Sequence, residues 1–216
     1  GTIFVYNSAA TYMLSAIIQK VTGQTLVEYL QPRLFDPLGI SKPNWQSDPK
    51  GINVGGWGLS ITTLDIAKIC QLYLQKGNWQ GQQILPEAWV EKATSYQTSN
   101  GSNPESDWEQ GYGYQFWRCR HNAYRGDGAF GQYCIVMPDQ DAVIAITAGS
   151  NDMPGIQNLV WKHLLPSMGE HSLPEDKDAL DNLRSKLASL KISTVQGEQT
   201  SDIESGISGN TYTLSQ

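Results

Sequence analysis

Three features of this 216-residue chain predict an α+β domain. Amphipathic helical periodicity dominates the first half. The period then shortens to runs rich in aromatic and β-branched residues, "GYGYQFW", "GQYCIVM" and "AVIAIT". A last apolar helix over residues 154–165 closes this region, so the order is helices, then strands, then a helix.

Each element has a local cause. Met13, Leu14, Ile17, Ile18 and Val21 recur at helical spacing and predict a buried helix that Gly23 ends. Thr25 followed by Glu28 reads as a capping box opening a second helix to about Leu34, which Pro37 and Gly39 terminate. A polar loop runs to Lys50, and "GGWGLS" is too glycine-rich for regular structure. Thr62 to Asp65 starts a helix with Ile66, Ile69, Cys70 and Tyr73 on one face. "NWQGQQIL" reads as a small hairpin, and Pro86 suits the first position of another helix.

Residues 98–107 form a polar loop. "GYGYQFW", "GQYCIVM" and "AVIAIT" are read as three antiparallel strands, the last two a hairpin over the turn Pro138 to Asp141. In the helix that follows, Leu159, Val160, His163 and Leu164 point inward. The chain is divided into residues 1–166, the main domain; 167–206, a polar linker with one amphipathic helix carrying Leu180, Leu183, Leu187 and Leu190; and 207–216, alternating like the first strand of a further element.

Apolar residues make up 39% of the chain, enough for a real core, and charged residues only 17%. A net charge of −6 with no Lys/Arg stripe excludes nucleic acid as a partner. No apolar run is long enough to span a bilayer. Cys70, Cys119 and Cys134 have no zinc-ligand spacing, and the three histidines are scattered, so neither metal nor cofactor is expected. Cys70 reads as a small core residue; Cys119 and Cys134 flank one hairpin and are likewise read as unpaired, a bond between them being the alternative.

Three segments carry a family resemblance, in order and at matching spacings: "GTIFVYNSAATYMLSAIIQKVTG", "LFDPLGI…GGWGLSITTLDIAKICQLYLQKG" and "GYGYQFW…GDGAFGQYCIVMPDQDAVIAITAG". From Gly1 to about Leu165 the chain resembles the serine β-lactamase-like hydrolases, in the branch of class C β-lactamases and esterases related to penicillin-binding proteins. The resemblance implies a β-lactamase/transpeptidase-like fold, a helical lobe against an antiparallel sheet backed by helices. It also implies acyl-enzyme chemistry in the cleft between them, on a small ester, amide or peptide substrate. Three family motifs meet there: a Ser-x-x-Lys, a Tyr-x-Asn, and a triplet with a basic residue on a strand. A serine hydroxyl needs an adjacent base, which the family's lysine and tyrosine provide, and which of the two takes the proton is left open by sequence.

Tyr6 matches the motif tyrosine, Asn7 the variable position and Ser8 the asparagine position. Ser8 can hydrogen-bond the lysine or a substrate carbonyl, with less reach than an amide, and can also cap the helix from Ala9 onward. The strand motif aligns as Gly126-Asp127-Gly128-Ala129. The resemblance makes Tyr6, Ser8 and the Ala129 backbone N–H, an oxyanion donor, catalytic, and Asn7, Asp127 and Gly128 substrate-binding. Gly126 occupies the basic position, so no cation stands there. Arg125 is adjacent but faces the other way on a regular strand. That favours an esterase- or amidase-like activity over binding of a β-lactam carboxylate.

The nucleophile is not in these residues. The one Ser-x-x-Lys, Ser47 to Lys50, lies in a proline-containing loop after the tyrosine motif rather than before it. No Gly-x-Ser-x-Gly elbow occurs. The chain is therefore expected to be an internal fragment whose N-terminal part bears the serine and lysine, inactive alone. The resemblance implies an extracytoplasmic location, and residues 207–216 resemble the opening strand of a C-terminal β-rich domain found in some relatives. The alternative is a non-catalytic peptide- or glycan-binding protein on the same scaffold, with Trp57, Trp108 and Trp117 lining its groove.

Overall fold

The computed structural model describes residues 3–169, 171–194, 197–198 and 200–213. They fall into two compact units, Gly1–His171 and Ser172–Gln216.

The first unit opens with α1 (Ser8–Thr22). Its cap is Asn7, whose side chain accepts from the N–H groups of Ala9 and Ala10, so Ser8 is the first helical residue and not the cap. Gly23, with φ of +73°, ends the helix in the left-handed conformation. The apolar stripe expected to be buried is instead open: Met13, Leu14, Ile17 and Val21 are all more than half exposed, and Ser15 is the buried residue of α1. The helix rests on its polar side, where Ser15 Oγ donates to the Asn53 carbonyl at 2.6 Å. α2 (Leu26–Leu30) begins with the expected Thr25–Glu28 capping box and continues as a wider turn over Gln31–Phe35.

A two-residue ladder joins β1 (Asn44–Trp45) to β2 (Leu59–Ser60), the latter drawn from the glycine-rich stretch expected to be irregular. α3 (Thr63–Leu74) is capped by Thr62 and Asp65 in the same reciprocal manner as α2. β3 (Asn78–Trp79) and β4 (Gln82–Gln83) form the expected hairpin, turning at Gln80 and Gly81. α4 (Glu87–Thr94) follows, with Pro86 as its cap.

The main sheet has four antiparallel strands in the order β5 (Trp117–Arg118), β6 (Tyr124–Gly128), β7 (Gln132–Met137) and β8 (Ala142–Ile146). Of "GYGYQFW", only Trp117 joins a strand. Gly111 and Gln115 have φ of +107° and +67°, which bends the preceding residues out of an extended run. β6, unread from periodicity, pairs five residues with β7, from Tyr124↔Val136 to Gly128↔Gln132.

The strand period of two sorts β7 between two cores. Tyr133, Ile135 and Met137 pack with Val160 and Trp161 of the last helix. Cys134 and Val136 face Cys70 and Tyr73 of α3. That helix, α5 (Met153–Leu159), widens at Val160–Leu164 into a π turn. The wider turn shifts the inward phase to Gln157, Val160 and Trp161, leaving Leu159, His163 and Leu164 exposed, against expectation for those three. A third core lies in the helical lobe around Phe35, Leu38, Ile40 and Leu72.

Cys119 and Cys134 are not paired with each other, and the reading of Cys70 as a plain core residue is corrected. Cys70 is bonded to Cys134, with Cα atoms 5.7 Å apart, and ties α3 to β7; Cys119 is a buried free thiol.

The second unit contains α6 (Lys177–Ser189), capped by Asp176, and the short α7 (Glu204–Ile207). Leu180, Leu183, Leu187 and Leu190 are exposed along α6. Residues 208–213 form no strand, and the rest of the expected alternating stretch, 214–216, lies outside the described residues. No described helix is long and apolar enough to cross a membrane.

Candidate active site

A cavity of about 900 Å³ is bordered by Tyr6, Ser8, Asp127, Gly128 and Ala129. Two segments separated by more than a hundred residues in sequence thus meet on one space. Of the expected site residues, Asn7 alone does not border it. Its side-chain oxygen is engaged with the first turn of α1, at 2.9 and 3.2 Å from the Ala9 and Ala10 nitrogens.

Tyr6 reaches the cavity because the chain is extended at the cap itself, where Asn7 has φ −143° and ψ 101°. Its ring stacks on Trp117 with centroids 5.6 Å apart and meets Tyr112 edge-on at 6.5 Å. Trp117 in turn lies edge-on to Trp108 at 5.0 Å. These contacts fix the phenol against an aromatic cluster while half of the tyrosine stays exposed. Burial, then the nearby Tyr6 and Asp127, push the Tyr112 phenol well above its ordinary range, so Tyr112 stays protonated and serves as packing.

The opposite wall is the "GGWG" loop. A Cβ on Gly55 would lie 2.9 Å from Ser15 Cβ, and one on Gly56 would lie 3.0 Å from the Ser8 carbonyl oxygen. Only glycine lets this loop lie so close to α1. The loop delivers Trp57, whose carbonyl accepts from the Trp45 indole N–H at 2.7 Å.

The third wall is the end of β6. Gly128 pairs with Gln132, and Ala129 follows at the start of the turn that Phe130 and Gly131 make with φ of +65° and +90°. Gln132 Nε2 donates to the carbonyls of Ala129 and Ala148, at 3.3 and 2.5 Å, and braces that turn. A Cβ at Gly126 would meet nothing within 4 Å, so the missing cation of the strand motif leaves open space.

Arg125 lies on the face away from Gly126 and Gly128, as the strand period requires, and is fully buried. Its Nη1 donates to the Asp107 carbonyl at 2.7 Å and to Cys119 Sγ at 3.1 Å, and its Nε to Asp127 Oδ2 at 2.9 Å. The guanidinium carbon sits 4.2 Å from the Trp108 ring centroid and 5.5 Å from that of Trp117. Burial pushes the Asp127 carboxyl above its usual range, and the Arg125 guanidinium opposes that push.

Sequence reasoning missed Trp45, Gln132 and Met153, which also border the cavity. Each comes from an element with no local functional signal. Among the described residues no cluster of His, Cys, Asp or Glu could hold a metal ion.

Comparison with known proteins gives a consistent result. The β-lactamase family model matches residues 1–162. A 6-aminohexanoate-dimer hydrolase of Paenarthrobacter ureafaciens is 28% identical over 153 residues, covering 65% of this chain and 38% of that protein. A Bacillus anthracis structure assigned provisionally as a 6-aminohexanoate-dimer hydrolase superposes with a TM-score of 0.66 at 25% identity, over 79% of this chain and 46% of its own. The octameric penicillin-binding protein homologue of Pyrococcus abyssi has a TM-score of 0.57 at 21% identity, over 77% and 43% of the two chains. The chain therefore spans less than half the length of each of these relatives.

Proposed function

The chain belongs to the β-lactamase family, and from that premise we propose that it carries half of a serine-hydrolase active site, completed by a Ser-x-x-Lys segment outside these 216 residues. The observation that supports this reading is the convergence of Tyr6, Ser8, Gly128 and Ala129 on one cavity. Serine attack on an ester or amide carbonyl needs a base, a donor for the oxyanion and room for the substrate along a strand. In this reading Tyr6 assists proton transfer to and from the serine. Its phenol, ordinarily titrating near ~10, needs a neighbouring cation to do so, the role of the lysine in the missing segment. The Ala129 N–H donates to the oxyanion, Ser8 orients the lysine or the substrate carbonyl, and the glycines at 126 and 128 leave the strand edge clear.

The open space at Gly126, with no cation, supports ester or amide hydrolysis over recognition of a β-lactam carboxylate. The 6-aminohexanoate-dimer hydrolases among the relatives support an amide substrate. Without serine and lysine, the 216-residue chain is inactive alone. The family reading alone is the ground for proposing a location outside the cytoplasm.

The test is turnover of a chromogenic ester by the product of the full reading frame and by its Tyr6→Phe variant. The expected result is activity in the former and a loss of about a hundredfold or more in kcat in the latter. Unchanged kcat in Tyr6→Phe would remove the tyrosine from the mechanism.

A further inference from the structure

The leucine stripe of α6 lies in the second unit and takes no part in the cavity. Leu180, Leu183, Leu187 and Leu190 stand at intervals of three, four and three positions, the heptad spacing of a helix seam. All four are exposed. At 3.6 residues per turn they cover an arc of only about 80°. A stripe this narrow is the seam of a helix that packs on another helix. The helix also carries no Trp or Phe to seat it in a lipid headgroup layer.

The charges sort around this seam. With Leu180 and Leu187 at the a positions, the flanking e and g positions hold Lys177, Arg184, Lys186 and Lys191, and Ala179 is the one uncharged member. Asp178 and Asp181 fall on the outer face. Arg184 Nη1 lies 3.7 Å from Asp181 Oδ1 with both side chains exposed, an ion pair that leaves the arginine charge largely unspent.

This arrangement discriminates among occupants. Two copies of α6 would set e against g when parallel, and e against e and g against g when antiparallel. Every such pairing puts lysine or arginine against its like. A 13-residue helix is marginal alone in water, so the stripe gains most from a partner of opposite charge.

We infer that α6 is a docking helix for a partner protein's helix whose own apolar seam is flanked by Asp or Glu. The leucines supply the contact area, and the basic flanks select the partner and its register. This role is independent of the acyl-transfer reading and stands whether or not the reaction does.

The 216-residue chain is titrated calorimetrically with two three-heptad helical peptides that carry leucine at every a and d position. One has glutamate at every e and g position and the other has lysine. The expected result is saturable binding of the glutamate peptide, about tenfold or more tighter than the lysine peptide, with the gap narrowing in high salt. Leu183→Asp should weaken the glutamate peptide by about tenfold or more. Since that change can also melt the helix, the double variant Arg184→Glu, Lys186→Glu keeps every leucine and is the second probe. It should reverse the preference between the two peptides.

Equal affinities, no saturable binding, or an unchanged preference in the charge-swapped variant overturns the inference. So does a dimer of the chain alone that Leu183→Asp dissociates, which would make a second copy the occupant. Sedimentation with phosphatidylserine vesicles that the same variant abolishes would make the occupant a lipid surface. A full-reading-frame product that fails to bind the glutamate peptide would place the occupant in the same polypeptide.

Discussion

Arg125 Nε donates to Asp127 Oδ2 at 2.9 Å, two positions apart on the same face of β6. The pair links the cavity wall to the core behind it, because Arg125 also bonds the Asp107 carbonyl, and the Asp107 carboxylate holds Arg120 and the Trp161 indole.

The first prediction concerns this pair. Asp127→Ala leaves a guanidinium fully buried without its carboxylate and is expected to cost about 3–5 kcal/mol. Urea unfolding at neutral pH measures it. A midpoint within error of the parent chain would mean that the ion pair contributes nothing to the fold.

The cap of α1 separates two neighbours that the sequence leaves entangled. Asn7→Ala removes the acceptor for two backbone N–H groups and should cost about 0.5–2 kcal/mol. Ser8→Ala should change stability by less than about 0.5 kcal/mol, while impairing turnover in the full-length protein. The reverse ranking in denaturant unfolding would make Ser8 the cap.

Glycine at 55 serves both conformation and contact. Gly55→Ala places a side chain at φ +69° and a Cβ 2.9 Å from Ser15 Cβ, and is expected to cost roughly 1–3 kcal/mol. Gly81→Ala, at φ +86° with nothing within 4 Å, incurs only the conformational part. Thermal unfolding of the two variants should show the larger fall in Tm for Gly55→Ala. Equal falls would mean that the loop does not press on α1.

Acid should loosen the core under β6. Burial raises the Asp107 carboxyl, but hydrogen bonds from Arg120 and Trp161 outweigh it and hold the group below its usual value of 3.8. A carboxyl lowered in the folded state stabilises fully above the unfolded value and loses that contribution as pH falls through the folded one. Stability should therefore fall as pH drops below about 4, and Asp107→Asn should flatten that part of the profile. A variant with the same acid slope as the parent would assign the loss to other carboxylates.

What the sequence disclosed was mostly local. The Thr25–Glu28 and Thr62–Asp65 caps, the β3–β4 turn and the β7–β8 hairpin each arise from neighbouring residues and were legible. β6 was not legible from periodicity, because Tyr124 to Gly128 holds two glycines and an ion pair; its ladders to β5 and β7 make it a strand. The apolar stripe of α1 was visible, but periodicity says only that a face wants a partner, not where that partner comes from. The π turn in α5 displaced the inward face without any local sign, and Cys70 and Cys134 meet across 64 residues of sequence. That Tyr6, Ser8, Asp127, Gly128 and Ala129 border one cavity follows the order of the family motifs; the Trp45 and Met153 contributions to the wall depend on tertiary placement.

The central claim is that the nucleophile of this site lies outside these 216 residues. The most direct test labels the product of the full reading frame with a fluorophosphonate and maps the modified serine by mass spectrometry. The expected label is on the serine of a Ser-x-x-Lys segment preceding Gly1, with none on the 216-residue chain expressed alone. A label on Ser8 or any other serine within the chain, or an unlabelled full-length protein, would contradict the account.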